Sequence, residues 1–543
     1  MKKLFGRGLL LLSAAVMAAS LCFSADAQEE VSKSYIDTQY SNPISASVFC
    51  ADPTAVEYNG RLYVYGTNDH QQLNETGKNK DNTYDRIKSL VVFSTDDMVN
   101  WVYHGEINVK DTARWIRNSW APSVVSRVEE DGLTHFYLYF SNNGMGVGVI
   151  TATDPLGPWS DPLGKPLVSF QTQGLKDCPN PFDPGVVIDD DGVGWLAFGG
   201  GIAENGTDFM PGSARIVRLG SDMLSFDSDF AEIPAPHFFE ASELNFIGGS
   251  CVYTYCSDWK QHGTEWSYDT DVPGGCSMIY MKTKTPLDKD SWQMGGECLK
   301  NPGDCGLEYS NNHTHLHKYN DKWYMLYHTL ALKNGMNIKG GYRSICCDET
   351  EVDEQNVIIK DIDCTKEGLE SAACEVSPFD THSGAAMCNC ADITFDTSDA
   401  KAPAAVSGKA GAWTGFRYAD FAQESKSSKL TFAAKIKGEG TVEVRLDSPD
   451  GETIATLTSS SDEYTDCESG EIAAEITGRH DLYFVFSNEG MAIGEWSFKK
   501  TPRFSPVLIA AIAGAAALAA VIAAVVIFRK KAARRPLDNT PSM

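Results

Sequence analysis

Five stretches of this chain follow one plan, and no other feature limits its fold as tightly. They are CADPTAVEYNGRLYVYGT from Cys50, SWAPSVVSRVEEDGLTHFYLYFS from Ser119, FDPGVVIDDDGVGWLAFGG from Phe182, FFEASELNFIGGSCVYTYCS from Phe238 and NNHTHLHKYNDKWYMLYHT from Asn311. Each opens on a polar residue or beside a proline and runs through a short apolar strand. It then turns at a polar run (NG, EDG, DDDG, GG, ND) and returns as an aromatic-rich strand. That is a β-hairpin written five times. Hairpins recurring at intervals of roughly 60 to 75 residues, with more strand-like sequence between them, predict the blades of a β-propeller of about four strands each. Five blades would span Tyr35 to Asp361. The run Asp189–Gly192 lacks the spaced acids and distal Glu of a calcium loop and reads as a hairpin turn.

A second unit is expected over residues 384–500, where period-two strands are cut by Gly, Asp and Ser turns. That pattern suits a small β-sandwich, so the fold class is all-β. The two ends read differently. Residues 1–27 have a basic start, an apolar middle and the small-residue exit Ala25-Asp26-Ala27, as in a secretory signal. Residues 507–528 carry no charge and are followed by Arg529, Lys530, Lys531, Arg534 and Arg535. About 20 apolar residues cross a bilayer, and cations stay on the cytoplasmic side. The chain is therefore expected at the cell surface, held by one C-terminal transmembrane helix, with a cytoplasmic tail over 529–543. A net charge of −27 argues against nucleic acid as a partner. The 15 cysteines include Cys22 in the signal segment and form no CxxC pair. Disulfides or buried thiols are expected before zinc.

In a propeller the innermost strands surround a channel, and the residues that open them converge there. Here those residues are Asp52, Trp120, Asp183, Glu240 and His313. Like charges and burial raise carboxyl pKa values, so three acids at one axis point to acid/base chemistry rather than stability. One Asp and one Glu facing a pocket is the minimum for hydrolysing a glycosidic bond. Phe238 and Phe239 give Glu240 the apolar setting that keeps an acid protonated. Asp52 is placed to stay ionised and hold water, and Asp183 to sustain the acid. Glu243 rivals Glu240, but only Glu240 opens its repeat.

The motifs ADPTAVEYNGRLYVYGT, WAPSV, TDPLGPWSDP, FDPGVVIDDDG, FFEAS and NNHTHLHKYNDKWYMLYH, in this order over about 300 residues, resemble glycoside hydrolase family 43, a family of five-bladed propellers. The resemblance implies Asp52 as general base, Asp183 as pKa modulator and Glu240 as general acid. It implies inversion at α-L-arabinofuranosides or β-D-xylosides of plant hemicellulose. It further implies one Ca²⁺ in the channel, held through His313 or, one step on, His315. Trp120 would form part of the sugar platform, and Arg343 would reach a sugar hydroxyl. Ser123 departs from the acidic residue often found after WAP, which would alter a subsite. In the second unit, EVRLDSPDG and ITGRHDLYFVF resemble carbohydrate-binding module family 6, with Tyr418 and Tyr464 as the stacking pair. Ala492 stands where that family tends to have Asn, so a spacer role is the alternative. The expected activity is arabinofuranosidase on arabinoxylan or arabinan. β-Xylosidase, endo-arabinanase and a non-catalytic sugar-binding protein are the rivals.

Overall fold

The computed structural model describes residues 31–175, 177–201, 213–260, 266–422, 428–502 and 506–532. The expected signal segment lies outside these, as does most of the expected tail.

Five antiparallel meanders succeed one another. Blade 1 is Ala51–Tyr58, Arg61–Thr67, Leu90–Thr95 and Trp101–Ile107, and blade 2 is Trp120–Val128, Thr134–Ser141, Gly146–Ala152 and Val168–Ser169. Blade 3 is Gly185–Ile188, Gly194–Phe198, Arg215–Arg218 and Ala231–Glu232. Blade 4 is Phe238–Ile247, Ser250–Ser257, Met278–Thr283 and Gln293–Leu299. Blade 5 departs from the four-strand expectation, with only His315–Tyr319, Lys322–Thr329 and Ser344–Thr350. Its outer edge is covered by the run that precedes blade 1. Ile44 N–H donates to Ile345 O at 2.9 Å, Cys50 N–H to Arg343 O at 3.0 Å, and Cys347 N–H to the Asn42 side-chain oxygen at 2.8 Å. Residues 42–50 thus satisfy an edge that would otherwise stand open.

Each blade buries both faces against its neighbours, because its strands alternate apolar residues to both sides. Val92 and Tyr65 meet Leu138 and Phe136 between blades 1 and 2, and Tyr139 meets Leu196 and Phe198 between blades 2 and 3. Ile216 packs with Tyr253 and Tyr255 between blades 3 and 4, and Tyr280 with Tyr327 between blades 4 and 5. Leu326 and Ile345 complete the circle against Leu62 and Val64.

The second unit is a β-sandwich-like arrangement of nine strands around Phe416, Phe432, Phe484, Trp496 and Phe498. Its longest strand, Ser428–Leu446, pairs first with residues 492–502 and then with residues 482–486. It changes partners at Gly438 and Gly440, whose φ values of 101° and 138° suit glycine. The unit is fastened to the propeller. Ala386–Met387 adds a fifth strand to blade 1 on Trp101–Val102, Asn100 exchanges two hydrogen bonds with the Arg417 backbone (3.0 and 2.8 Å), and Lys401 pairs with Asp154 at 2.6 Å.

Residues 506–532 form a helix. The part of it with described side chains, Gly514–Lys531, ends in three cations, and among the described residues no helix is long and apolar enough to cross a membrane. The structure therefore does not support the expected membrane span. The described cysteines are all free thiols, most of them buried.

Candidate active site

The innermost strands do not run straight into the channel. Asp52, Ala121, Asp183 and Ala241 have positive φ (52°, 36°, 48° and 62°), at the same point of blades 1 to 4. In blades 1, 2 and 4 a register shift sits there too, between Ala51 and Thr54, between Trp120 and Ser123, and on both sides of Glu240. Such a bulge bends the strand and re-aims its side chains. Non-glycine residues held at positive φ cost about 1–3 kcal/mol each, which only a surrounding structure that dictates the position sustains. Pro53, Pro122 and Pro184 follow three of the four and stiffen the exit.

A ring of hydroxyls holds this geometry. Thr67 ends the second strand of blade 1. It accepts from Ala121 N–H of blade 2 at 2.8 Å and donates to Asp52 Oδ2 at 2.6 Å. Ser141 ends the second strand of blade 2. It accepts from Asp183 N–H at 2.7 Å and bonds Asp183 Oδ1 at 3.2 Å. Asp183 Oδ2 in turn accepts from Ala241 N–H at 3.0 Å. The residue after the expected acid is thereby tied to the expected modulator.

These strand starts surround a pit of about 110 Å³ lined by Asp52, Trp120, Asp183, Glu240, Asn311 and Arg343, with His313 beside them. A larger cleft, of about 810 Å³, lies beside Trp413 and Arg445, away from this acid trio. The pit is the site because its acids are driven to different protonation states. Burial would raise Asp52. The Arg343 guanidinium, with the Thr67 hydroxyl, outweighs it and holds Asp52 below the ordinary carboxylate value. Glu240, partly open at the mouth of the pit, is pushed up to about 7 by burial and by the charge of Asp52, against a weak bond from Asn311 at 3.4 Å. Asp183 is raised well above the usual range by burial, then by Glu240 and Asp52, so the Asp183–Glu240 pair resists losing both protons.

His313 Nδ1 stands 3.6 Å from Asp52 Oδ1, and burial lowers its pKa to about 4, so it is a neutral neighbour. The residues here do not fit a directly ligated Ca²⁺, which takes six to eight oxygens. Both Asp52 oxygens are engaged, one of them by the Arg343 cation, and among the described residues no cluster of three or more acids, His or Cys could hold a metal. His315 points elsewhere. It pairs with Glu243 at 2.5 Å in a buried network between blades 4 and 5.

Arg343 is placed differently from the expected sugar contact. It is buried between two carboxylates, with Nη1 on Asp52 at 2.9 Å and the rest of its fork on Asp69, and its guanidinium lies 4.9 Å above the Tyr84 ring. Trp120 lines the pit and donates through Nε1 to Tyr84 O at 3.1 Å. Ser123 is buried and accepts from Val186 N–H at 3.0 Å, which makes it a tie between blades. Tyr418 and Tyr464 are not brought together. Tyr418 lies between Arg417 and Arg479 with its hydroxyl on Glu370 O, whereas Tyr464 sits against Lys437 and Asp396.

Sequence reading missed Thr67, Asp69, Asn311 and His328. Buried His328 accepts Asp52 N–H at Nδ1 (3.2 Å) and donates from Nε2 to Asn311 O (2.8 Å), which fixes its tautomer and joins the base to the acid's neighbour. A signal for the hydroxyls was present, since the second strand of four repeats ends in Thr67, Ser141, Ser257 and Thr329.

A propeller whose axial pit brings together a buried Asp paired with an Arg and a Glu in a setting that favours its protonated form fits a glycosidase. The comparisons agree. The family described as "Glycosyl hydrolases family 43" matches residues 39–357, and "Carbohydrate binding module (family 6)" matches residues 384–500. A Bacillus subtilis protein named arabinoxylan arabinofuranohydrolase is 34% identical over 476 residues, covering 83% of this chain and 90% of its own. One of the same name from Paenibacillus polymyxa is 31% identical over 483 residues, covering 84% and 74%. The crystal structure of a Bacillus subtilis family 43 arabinoxylan arabinofuranohydrolase in complex with cellotetraose matches with a TM-score of 0.77 at 30% identity, over 87% of this chain and 99% of that one. The chain belongs to glycoside hydrolase family 43 and is a hemicellulose-degrading glycosidase.

Proposed function

We propose that this glycosidase removes α-L-arabinofuranosyl units from arabinoxylan or arabinan by single displacement with inversion. The observation that carries the reading is the meeting of Glu240 and Asp52 in one pit, where burial and the Asp52 charge favour the protonated acid and Arg343 favours the ionised base. Glu240 gives its proton to the glycosidic oxygen as the bond to the anomeric carbon breaks. Asp52 takes a proton from a water that attacks that carbon on the opposite face. Asp52 ends protonated and Glu240 ionised, and exchange with solvent resets both. Asp183 keeps Glu240 placed through Ala241 N–H. Inversion of this kind uses carboxyls about 6.5–9.5 Å apart. Support for the sugar comes from the two relatives named arabinoxylan arabinofuranohydrolases.

The test is hydrolysis of aryl α-L-arabinofuranoside, aryl β-D-xyloside, arabinoxylan and arabinan, with the product's anomeric configuration read by NMR. Release of arabinose with inverted configuration is expected. Preference for the xyloside would make this a β-xylosidase, and silence on all four would leave a sugar-binding protein.

We further propose that the enzyme stands outside the cell, tethered through residues 507–528. The support is the uncharged run of residues 507–528 followed by Arg529, Lys530 and Lys531. Fractionation of cells making the full chain, beside one ending at residue 502, tests this. Loss of membrane retention in the shorter chain is expected, and equal partition would refute the anchor.

A further inference from the structure

Asp69 has no part in the displacement just described, yet it is fully buried two residues beyond Thr67. It is the first residue of the helix Asp69–Thr76, whose N-cap Asn68 accepts from Gln71 N–H. The positive end of a helix favours a carboxylate there. All of its described hydrogen bonds go to one residue. Oδ2 accepts from Arg343 N–H and Nε, both at 3.0 Å, and Oδ1 from Nη2 at 2.9 Å. The remaining terminal nitrogen, Nη1, reaches Asp52 Oδ1 at 2.9 Å. Asp69 therefore grips one edge of a planar fork, and the far corner of that fork meets the base.

A guanidinium carries rigid, coplanar donors, so fixing one edge fixes the other. Bidentate charge-assisted pairs are the strong class of hydrogen bond and also the most directional. The other neighbours of the guanidinium do not set its angle. The Tyr84 ring supports its face, which leaves rotation in the plane open. Asp52 offers it a single oxygen, because Oδ2 is taken by Thr67. Without Asp69 the guanidinium is free to turn about its single bond to Asp52.

The geometry points to Asp69 as a positioning residue for the reaction. It acts through Arg343 to hold the Asp52 carboxylate in the orientation that receives the water's proton. This rests on the proposed role of Asp52. Asp69 does not touch the sugar, so its loss is expected in kcat, with KM kept.

The experiment is a double-mutant cycle in the full chain on aryl α-L-arabinofuranoside, with Asp69→Asn, Arg343→Met and both together. An amide can present only one acceptor to the fork, so its alignment is lost. The expected result for Asp69→Asn is a fall in kcat of about 10- to 100-fold, the range for a charged hydrogen bond, with KM within about twofold of the parent. In the Arg343→Met background, Asp69→Asn is expected to add less than about threefold, because its route to Asp52 is already cut. Losses that multiply in full, or an unchanged kcat for Asp69→Asn, overturn the inference. So does a loss accounted for by the folded fraction, measured by circular dichroism and calorimetry. If the Asn variant does not fold, Asp69→Glu carries the test. It keeps the charge but displaces the grip by one methylene, and an unchanged kcat there overturns the inference as well. If the parent hydrolyses neither arabinofuranosides nor xylosides, the functional reading fails independently. The crystal structure of Asp69→Asn then decides, with Arg343 turned away from Asp52 in support and Arg343 unmoved against.

Discussion

Replacing Glu240 by Gln separates what this residue does for catalysis from what it costs the fold. The carboxyl lies at about 7, against an ordinary 4.5, because burial and the Asp52 charge oppose ionisation. The unfolded chain carries no such penalty. Below pH 4.5 the group is protonated in both states, and the native fold loses nothing. Between 4.5 and 7 the unfolded state ionises first, so the folded state becomes progressively less stable, and above 7 the full difference applies. That gap of about 2.5 pH units amounts to at most about 3 kcal/mol, since Glu240 keeps some contact with solvent at the pit mouth. Glutamine occupies the same volume and cannot ionise. The propeller transition in calorimetry should therefore rise by about 5 °C at pH 8 and stay level at pH 4.5, taking the usual entropy of unfolding for a domain of this size. Hydrolysis of arabinoxylan should fall by about 10² to 10⁴-fold, the usual contribution of a general acid. The basic limb of kcat/KM near pH 7 should vanish with it. A gain in stability of the same size at both pH values would refute the electrostatic reasoning. A basic limb that survives in the variant would refute Glu240 as the acid.

Three further outcomes follow from the same geometry. Thr67→Val removes the bond to Asp52 Oδ2 and the acceptor for Ala121 N–H. The acid limb of the pH–rate profile should move up, because Asp52 loses one of the groups that hold it low, and kcat/KM should fall about tenfold. A chain beginning at residue 49 lacks the Asn42 and Ile44 ties to blade 5 and also residues 32–39, which bond Asn389, Trp413 and Arg417 of the sandwich, so both transitions should fall in calorimetry. Gly438→Ala adds a Cβ 2.9 Å from Met491 Cα at a φ of 101°. It should lower the sandwich transition by about 1–3 kcal/mol and leave turnover of an aryl glycoside unchanged.

The fold was legible because the hairpin repeat is local. Alternation and turn residues are read within twenty residues, and five copies in succession leave few architectures open. The residues that open the repeats were legible for the same reason, and Asp52, Asp183 and Glu240 do share one pit. What escaped was set by distance along the chain. Asp69 meets Arg343 across 274 positions, and nothing near either residue announces the other. Arg343, read as a sugar contact, turned out to be buried for that reason. The three-stranded fifth blade escaped because residues 42–50 join it by backbone bonds without an alternating pattern of their own. Tyr418 and Tyr464 were paired by analogy of position, but the sandwich strands carry Tyr418 against the arginines and linker at the propeller side.

The docking of the sandwich on blade 1 also bears on how the enzyme meets a polymer. A module on a loose linker raises the local concentration of substrate and samples many spacings. Here a strand pairing at Ala386–Met387, the Asn100–Arg417 exchange and the Lys401–Asp154 pair leave little slack. Any sugar the sandwich held would sit at a set distance and angle from the pit. The two units would then work as a gauge. Branches spaced to match it along the main chain would be cut faster than the same branches at random spacing, a preference that a flexible tether would erase.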